Sequence, residues 1–242
     1  MNNIINDIEG KGYAELPFGL EDAVNESFSS FKEFLKLDLE QRKQWTFPID
    51  RKLNSEIGYV PREEETNQMT GHPYDYKDVF HFDLSLLNRA VEKKLDIGPY
   101  KDWFDNLTLI YNKAERIAED TLKNISINYP DIQNVFQDKQ ENKGVLRLLN
   151  YHMINRDEGV IGLGHVDEWL LTINIAENLP GLKVGAGTNS HILMRDFGIA
   201  IVYPGRKLGN LTSNKLKPLY HEVVRTDGDV GNRMALTFFF DR

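Results

Sequence analysis

The hydrophobic pattern of this 242-residue chain changes from a helical period to a strand period near Gly144. Before that point, two segments carry apolar residues at helical spacing, and they predict helices over residues 20–42 and 102–127. Residues 50–76 hold glycine, proline and many charged residues, which predicts an irregular connection. The first part of the chain is therefore expected to be rich in helices.

After Gly144, short apolar or alternating runs are separated by Gly, Pro, Asn and Asp, a pattern typical of β-strands joined by turns. The predicted strands span residues 145–151, 170–175, 192–194, 199–203, 221–224 and 234–240. This arrangement predicts a mainly β protein with flanking α-helices, in which N-terminal helices buttress a β-sandwich or a jelly roll. We expect a single domain over residues 1–242, with a helix-rich part (1–143) and a strand-rich part (144–242).

Three residues of the strand-rich part have the chemistry of a metal site. His165 and Asp167 are two residues apart, so on a strand their side chains lie on the same face. His221 lies on a separate apolar strand, and Arg233 opens the last predicted run. Two histidines and one carboxylate on one face of an octahedron bind non-haem Fe(II) and leave positions open for other ligands. The sequence thus predicts an iron site in the last third of the chain.

Composition narrows the class of protein further. The 37 acidic and 29 basic residues give a net charge of -8, which opposes binding to phosphate backbones, so we expect no nucleic-acid partner. The absence of cysteine excludes disulfides, thiolate metal sites and cysteine nucleophiles, and leaves His, Asp and Glu as the strong metal ligands. The first residues lack a signal-peptide pattern, and no segment has the length and hydropathy of a membrane span. We therefore expect a cytoplasmic protein without membrane association.

Several short segments follow one another in the order and at the spacing of a known family. They are residues 12–16, 58–60, 75–80, 150–151, 180–184 and 219–224. Together with His165-Val166-Asp167, they resemble the Fe(II)- and 2-oxoglutarate-dependent oxygenases of the isopenicillin N synthase-like family. Asn150-Tyr151 is similar to the asparagine-tyrosine-tyrosine strand of that family, and Pro180-Gly181-Leu182-Lys183-Val184 is similar to its glycine-leucine-glutamine-valine turn. The resemblance covers almost the whole chain.

The resemblance implies a double-stranded β-helix (jelly-roll) core and an enzyme that oxidises, most commonly hydroxylates, a small organic molecule. It implies that His165, Asp167 and His221 bind Fe(II) and form the catalytic centre. It further implies that Arg233 binds the distal carboxylate of the cosubstrate 2-oxoglutarate, since the planar guanidinium pairs with a carboxylate through two parallel hydrogen bonds. In this family, dioxygen is consumed while 2-oxoglutarate is oxidatively decarboxylated to succinate and carbon dioxide.

Two positions depart from the family pattern. Where the family has arginine-x-serine, this chain has Ala235 in place of the serine, and the second tyrosine of the asparagine-tyrosine-tyrosine strand is replaced by His152. Losing one hydroxyl hydrogen bond to a charged group costs about 1.5–3 kcal/mol. Tyr151 and His152 are the candidate additional cosubstrate contacts. His152 could donate to 2-oxoglutarate, bind a different acid, or simply pack within the strand.

Three alternatives to this interpretation are considered, and the two departures keep the first of them open. One is an Fe(II) oxidase of the isopenicillin N synthase type, in which the substrate itself chelates iron and no 2-oxoglutarate is used. Another is a non-catalytic protein that has kept the fold to bind a ligand or a partner, and the last is a metal-dependent hydrolase. Neither the substrate nor the oligomeric state is indicated by the sequence, because specificity in such folds depends on loops rather than on motifs.

Overall fold

The computed structural model describes residues 2–50, 55–60, 77–137, 144–152, 159–226 and 231–241. Helices α1 to α6 are Asn2–Lys11, Glu21–Leu35, Leu39–Lys43, Leu86–Glu92, Lys101–Asn128 and Arg206–Leu211. Strands β1 to β12 are Ala14–Pro17, Thr46–Asp50, Ser55–Val60, Lys77–Phe82, Gly144–Tyr151, Val160–His165, Leu171–Glu177, Leu182–Val184, His191–Ile192, Ile199–Pro204, His221–Val224 and Arg233–Phe240. Short 3₁₀ helices are Gly98–Tyr100, Pro130–Gln137 and Gly187–Asn189. None of the described helices has the length and apolar character needed to cross a membrane.

The described strands form two sheets, and neighbouring strands in both sheets pair antiparallel. The large sheet has eight strands in the order β1-β10-β7-β12-β5-β4-β3-β2, and the small sheet has four in the order β6-β11-β8-β9. The predicted fold class, mainly β with flanking helices, is confirmed at this level.

One face of the large sheet packs against helices α2 and α5 and forms the main hydrophobic core. Because side chains alternate along a strand, β12 contributes Met234, Leu236 and Phe238 to this core, where they pack with buried residues of α5 such as Leu107 and Ile110. A fully buried leucine or phenylalanine stabilises the folded state by roughly 1.5–3 kcal/mol, so this face accounts for much of the hydrophobic stabilisation. Because the helices cover this face, only the opposite face of the large sheet is available for a functional site.

The opposite face of the large sheet packs against the small sheet through two smaller apolar clusters. One cluster includes Tyr13, Leu182, Ile201 and Tyr203, and the other includes Tyr151 with its apolar neighbours on β4, β6, β11 and β12. The polar residues predicted to form the metal site lie between these two sheets, so the sandwich encloses them on two sides.

The structure differs from the predicted helix over residues 20–42. That segment is two helices, because Asp38 leaves the helical conformation and caps α3. Its carboxylate accepts a hydrogen bond from the Gln41 backbone amide, and the Gln41 side chain accepts one from the Asp38 amide. The second predicted helix corresponds to α5 and is confirmed to within a residue at each end.

The first part of the chain holds more β-structure than its sequence pattern indicates. Strands β1 to β4 all join the large sheet, and β3 lies within the segment predicted to be an irregular connection. Residues 61–76 of that segment lie outside the described residues. The large sheet is consequently built from both parts of the chain.

Candidate active site between the two sheets

The predicted metal ligands meet at one end of the small sheet. His165 ends β6, His221 begins β11, and the two residues are directly paired in register. Asp167 follows two residues after β6, with Oδ1 at 3.4 Å from His165 Nε2 and 3.9 Å from His221 Nε2. One potential ligand atom from each residue lies within 4.8 Å of the other two. The structure therefore brings together all three side chains that the sequence singled out.

Backbone carbonyls fix the orientation of both imidazole rings. His165 Nδ1 lies 2.7 Å from the Leu163 carbonyl oxygen, and His221 Nδ1 lies 3.1 Å from the Leu219 carbonyl oxygen. A carbonyl oxygen can only accept a hydrogen bond, so Nδ1 carries the proton in each ring and Nε2 of the neutral ring keeps its lone pair. Both free nitrogens are on the side of Asp167, which is the arrangement that a shared metal ion requires.

The Asp167 carboxylate is buried and held from several directions. Thr172 Oγ1 donates a hydrogen bond of 2.7 Å to Oδ2, and the Tyr203 hydroxyl also bonds to this carboxylate. Burial alone would raise the pKa of Asp167, but the hydrogen bond with His165, the nearby histidines and Thr172 outweigh it and lower the pKa to about 2. Asp167 is thus an anion at neutral pH, ready to bind a cation.

The two histidines differ in their surroundings. Burial lowers the pKa of His221, as does the charge of His165, although Asp167 opposes them. Burial also acts to lower the pKa of His165, but the hydrogen bond and charge of Asp167 outweigh it, and that pKa is raised. The His221 side chain is buried whereas half of the His165 side chain is exposed. The open side of the triad is consequently the side of His165.

Arg233 and the triad line one small cavity, which we call the inner cavity. This cavity has a volume of about 80 Å³ and is also lined by Tyr151 and Ala235. Arg233 is 1% exposed, and its guanidinium carbon lies 5.3 Å from the centre of the Tyr151 ring. Gly181 leaves room for this side chain, because a Cβ there would lie 3.0 Å from Arg233 Nε.

The Arg233 side chain has both a counter-ion and unused donors. Its Nη2 donates to Glu177, a buried carboxylate that also lies 3.7 Å from Arg195 Nε. Nε and Nη1 of Arg233 are buried and have no hydrogen-bond partner among the described residues. The two guanidinium groups and one carboxylate carry a net charge of about +1, since arginine stays protonated in proteins. Unused guanidinium donors next to a metal-ligand triad fit the carboxylate of 2-oxoglutarate.

His152 is not among the described lining residues of the inner cavity and contacts Asp78 instead. His152 Nε2 is 2.7 Å from Asp78 Oδ2, and Asp78 also accepts a hydrogen bond of 2.9 Å from the Tyr59 hydroxyl. Because side chains alternate along a strand, Tyr151 faces Arg233 while Asn150 and the Asp78 paired with it face the helices. Of the two predicted contacts, Tyr151 is therefore the one that lines the inner cavity, and His152 belongs to a hydrogen-bond network on the other face.

A larger space, the outer cavity, opens beside the triad. It has a volume of about 540 Å³. Its lining residues are Lys77, Arg147, His165, Val166, Asp167, Glu168, Trp169, Arg206, Tyr220 and Phe239. His165 and Asp167 line both cavities, as do Lys77, Arg147 and Phe239. A molecule bound in the outer cavity would thus lie against the exposed side of the triad.

Several residues of this site were not anticipated from the sequence. They are Lys77, Arg147, Thr172, Glu177, Arg195 and Tyr203. Side-chain alternation within β7 and β10 places Thr172 and Tyr203 on the cavity side. This assignment to one face can be made only when the strand register is known. Glu177 ends β7 and Arg195 lies in the loop between β9 and β10, and no motif marks them.

Comparisons with known proteins bear on the fold of the chain. No protein-family model matches the chain, and no curated protein matches its sequence. Several solved structures do match the chain. One is JOX2 in complex with 2OG, Fe and JA, which is 18% identical in sequence and has a TM-score of 0.75; the match covers 100% of this chain and 70% of that chain. A full-length Neurospora crassa protein in complex with alpha-KG is 16% identical with a TM-score of 0.74, covering 99% of this chain and 78% of that chain.

A third similar structure is the dioxygenase for auxin oxidation 1 from Arabidopsis thaliana in its 2-oxoglutarate complex. It is 13% identical with a TM-score of 0.72, covering 99% of this chain and 86% of that chain. At sequence identities this low, the structural similarity shows a shared fold. The chain has the fold of the Fe(II)- and 2-oxoglutarate-dependent oxygenases.

Proposed function

We propose that this protein is a non-haem Fe(II)- and 2-oxoglutarate-dependent oxygenase that oxidises, most commonly by hydroxylation, a small organic molecule. The observation that carries the proposal is the combination of two features in one cavity. The first is the triad of His165, Asp167 and His221, with both Nε2 atoms on the carboxylate side. The second is Arg233, buried with two unused donors in the same cavity.

Each side chain then has a defined task. His165, Asp167 and His221 would hold Fe(II), which when bound supplies the redox chemistry that couples decarboxylation of 2-oxoglutarate to oxidation of the substrate. Thr172 and Tyr203 keep the Asp167 carboxylate in place through its hydrogen bonds.

The rest of the inner cavity would orient the cosubstrate. Arg233 would bind the distal carboxylate of 2-oxoglutarate through Nε and Nη1, with the Tyr151 ring beside it. The apolar side chains of Leu149, Leu182 and Val223 line the same cavity and limit the access of water. A dry surrounding strengthens the attraction between a guanidinium and a carboxylate.

The finer structural assignments belong to the same proposal. We infer that the two facing sheets form a double-stranded β-helix, which the likeness to the solved oxygenases supports. A single oxygenase domain over residues 1–242 is supported by the large sheet, which takes strands from both parts of the chain. A cytoplasmic location and the absence of nucleic-acid and membrane partners stay predictions from the sequence.

A second candidate function is an Fe(II) oxidase that does not use 2-oxoglutarate. Two observations favour it: Glu177 already neutralises one edge of Arg233, and Ala235 lacks the hydroxyl of the family's arginine-x-serine pattern. In that case the substrate itself would bind beside the triad.

An anaerobic titration separates the two candidates. Fe(II) and then 2-oxoglutarate are added to the purified protein without oxygen, and the weak visible charge-transfer band of metal-chelated 2-oxoglutarate is recorded. We expect a band in the unmodified protein that is lost in His221→Ala and strongly weakened in Arg233→Gln, with Lys36→Gln as the surface control. Iron binding without a band would favour the second candidate, and a protein that binds no iron would contradict both.

A further inference from the structure

Asn174 lies on β7 between two residues that support the proposed site. Thr172, two residues before it, holds the Asp167 carboxylate, and the two side chains lie on the same face because side chains alternate along a strand. Beyond an irregularity in the pairing of β7 with β12, the strand ends at Glu177, the counter-ion of Arg233. Asn174 is 5% exposed and lines the inner cavity. It thus stands between the metal end and the arginine end of that cavity.

Arg195 fixes the orientation of the Asn174 side-chain amide. Its Nη2 donates to Asn174 Oδ1, and its Nη1 lies 2.6 Å from the Asn174 carbonyl oxygen and 3.0 Å from the Ile199 carbonyl oxygen. A guanidinium can only donate hydrogen bonds, so the side-chain atom of Asn174 that faces it is the oxygen. The other atom is Nδ2, which carries two N–H donors. No residue in the described part of the chain accepts a hydrogen bond from it.

Arg195 also connects Asn174 with Arg233. Arg195 Nε lies 3.7 Å from Glu177 Oε1, and Arg233 Nη2 donates to the other oxygen of the same carboxylate. These three side chains are at most 6% exposed. Buried polar side chains that bond to one another in this way hold each other in place. Asn174 Nδ2 and the unused Nε and Nη1 of Arg233 are therefore donors of one buried network beside one cavity.

The expected ligand of Arg233 has more acceptor sites than an arginine alone can fill. A carboxylate has two oxygens with about four acceptor sites, and the arginine fork supplies two parallel hydrogen bonds. Two side chains that the resemblance offered as further donors do not serve here, since Ala235 has no hydroxyl and His152 contacts Asp78. A carboxylate buried in the inner cavity would thus gain from another oriented donor, because buried polar atoms need hydrogen-bond partners.

We propose that Asn174 is a cosubstrate-binding residue, whose Nδ2 donates a hydrogen bond to the distal carboxylate of 2-oxoglutarate, the carboxylate that Arg233 binds. Arg195 is then a positioning residue, which keeps the amide nitrogen and not the amide oxygen available to the ligand. The inference rests on the proposed function, since it assumes that 2-oxoglutarate enters the inner cavity. As a consequence, Asn174 helps the protein to select 2-oxo acids with a second carboxylate over those that end in a methyl group.

Two acids isolate this contact from the metal site. 2-Oxoglutarate and 2-oxobutyrate share the 2-oxo acid group that chelates a metal ion, but only 2-oxoglutarate has a distal carboxylate. Calorimetric titration of the full-length protein loaded with Mn(II) gives a dissociation constant for each acid. A general distortion of the site would weaken both acids, whereas loss of the proposed hydrogen bond would weaken 2-oxoglutarate alone. The ratio of the two dissociation constants is therefore the quantity to compare between variants.

Two substitutions of Asn174 remove the donor in different ways. Asn174→Asp keeps an oxygen for Arg195 and replaces the N–H donors by an acceptor, and Asn174→Leu removes both functions without adding charge. Each should lower the affinity for 2-oxoglutarate by roughly tenfold or more and change that for 2-oxobutyrate less than about threefold. Arg233→Gln should shift the ratio in the same direction. Asn210→Asp makes the same chemical change at an exposed position of α6 and should leave both constants unchanged.

The outcomes separate this inference from the proposed function. If both Asn174 variants kept the original affinity for 2-oxoglutarate, or lost affinity for the two acids in parallel, the inference would be overturned, while a preference of the unmodified protein for 2-oxoglutarate would still support the proposed cosubstrate. If the unmodified protein itself did not prefer 2-oxoglutarate over 2-oxobutyrate, the assignment of the cosubstrate would fail, and the role of Asn174 would fail with it.

Discussion

Thr172 Oγ1 donates a 2.7 Å hydrogen bond to Oδ2 of Asp167, the carboxylate whose other oxygen faces the two histidines. Thr172→Val keeps the shape of the side chain and removes this bond, so the carboxylate should lose its fixed orientation. Loss of such a supporting contact typically lowers metal affinity about 10–100-fold, and we expect a decrease of that size. A competition titration with Mn(II) against a chromogenic chelator measures it. Thr121→Val, in the helix core, is the matched control, and unchanged affinity in Thr172→Val would refute the assigned role.

Ala235 occupies the position at which the isopenicillin N synthase-like oxygenases have a serine that contacts the cosubstrate. Ala235 is buried and lines the inner cavity with Arg233, so Ala235→Ser places a hydroxyl beside the expected carboxylate. One added hydrogen bond contributes about 0.5–1.5 kcal/mol, and 2-oxoglutarate affinity should rise roughly two- to tenfold. Anaerobic titration of the charge-transfer band gives the dissociation constant. Ala235→Cys is similar in size but donates weakly, and an equal gain in that variant would argue against a hydrogen bond.

Glu177 is the buried counter-ion shared by Arg195 and Arg233. Glu177→Gln would leave two buried guanidinium groups facing each other, and breaking a buried ion pair in this way costs about 3–5 kcal/mol of folding stability. A bound 2-oxoglutarate would supply the missing negative charge, so the ligand should raise the melting temperature more in this variant than in the unmodified protein. Thermal unfolding with and without 2-oxoglutarate, in the presence of Mn(II), checks both statements. Glu33→Gln, at an exposed position, should show neither the loss of stability nor the larger rise in melting temperature. If 2-oxoglutarate raised the melting temperature equally in Glu177→Gln and in the unmodified protein, the shared-charge interpretation would be contradicted.

His81 makes the stability of the fold depend on pH. Burial, together with the charges of Arg147 and Lys77, lowers the pKa of His81 well below 6.5, although its bond to the Glu56 carbonyl opposes the shift. Below about pH 6.5 the unfolded chain binds a proton at this residue and the folded chain does not, so stability falls as the pH decreases.

One such proton changes the free energy of unfolding by up to about 1.4 kcal/mol per pH unit. Urea unfolding at a series of pH values between about 7.5 and 5 should therefore show a shallower dependence for His81→Gln than for the unmodified protein. His191→Gln, at an exposed position, should keep the original slope. Identical slopes for all three proteins would show that His81 is not the titrating group.

The first two ligands of the triad were predictable because they are encoded locally. His165 and Asp167 are two residues apart, so their spacing alone brings them together, whereas His221 was grouped with them because the surrounding segments resemble a known family. The long helix α5 was predictable for the same reason, since its apolar period extends over many turns. The break between α2 and α3 was not anticipated, because the capping effect of Asp38 competes with an otherwise continuous apolar pattern.

The remaining site residues depend on strand register, which a single sequence does not determine. Tyr151 and His152 are neighbours, yet they face opposite sides of the large sheet, and only the pairing of Tyr151 with Arg233 decides which one reaches the cavity. Arg147 and Lys77 likewise enter the site because β4 and β5 lie beside each other. The Glu177–Arg195 contact joins two residues that no local pattern connects.

The position of β12 in the large sheet has a consequence for biosynthesis. Residues 233–240 form a central strand that pairs with β5 on one side and β7 on the other. While the ribosome is still adding these residues, the earlier strands have no neighbour across that gap, so the nascent chain cannot complete its sheet. Non-local pairings of this kind form late and leave strand edges exposed for a time. Any product that stops short of this strand would lack both the middle of its sheet and Arg233, so translation errors near that point would yield chains prone to aggregation rather than partly active enzyme.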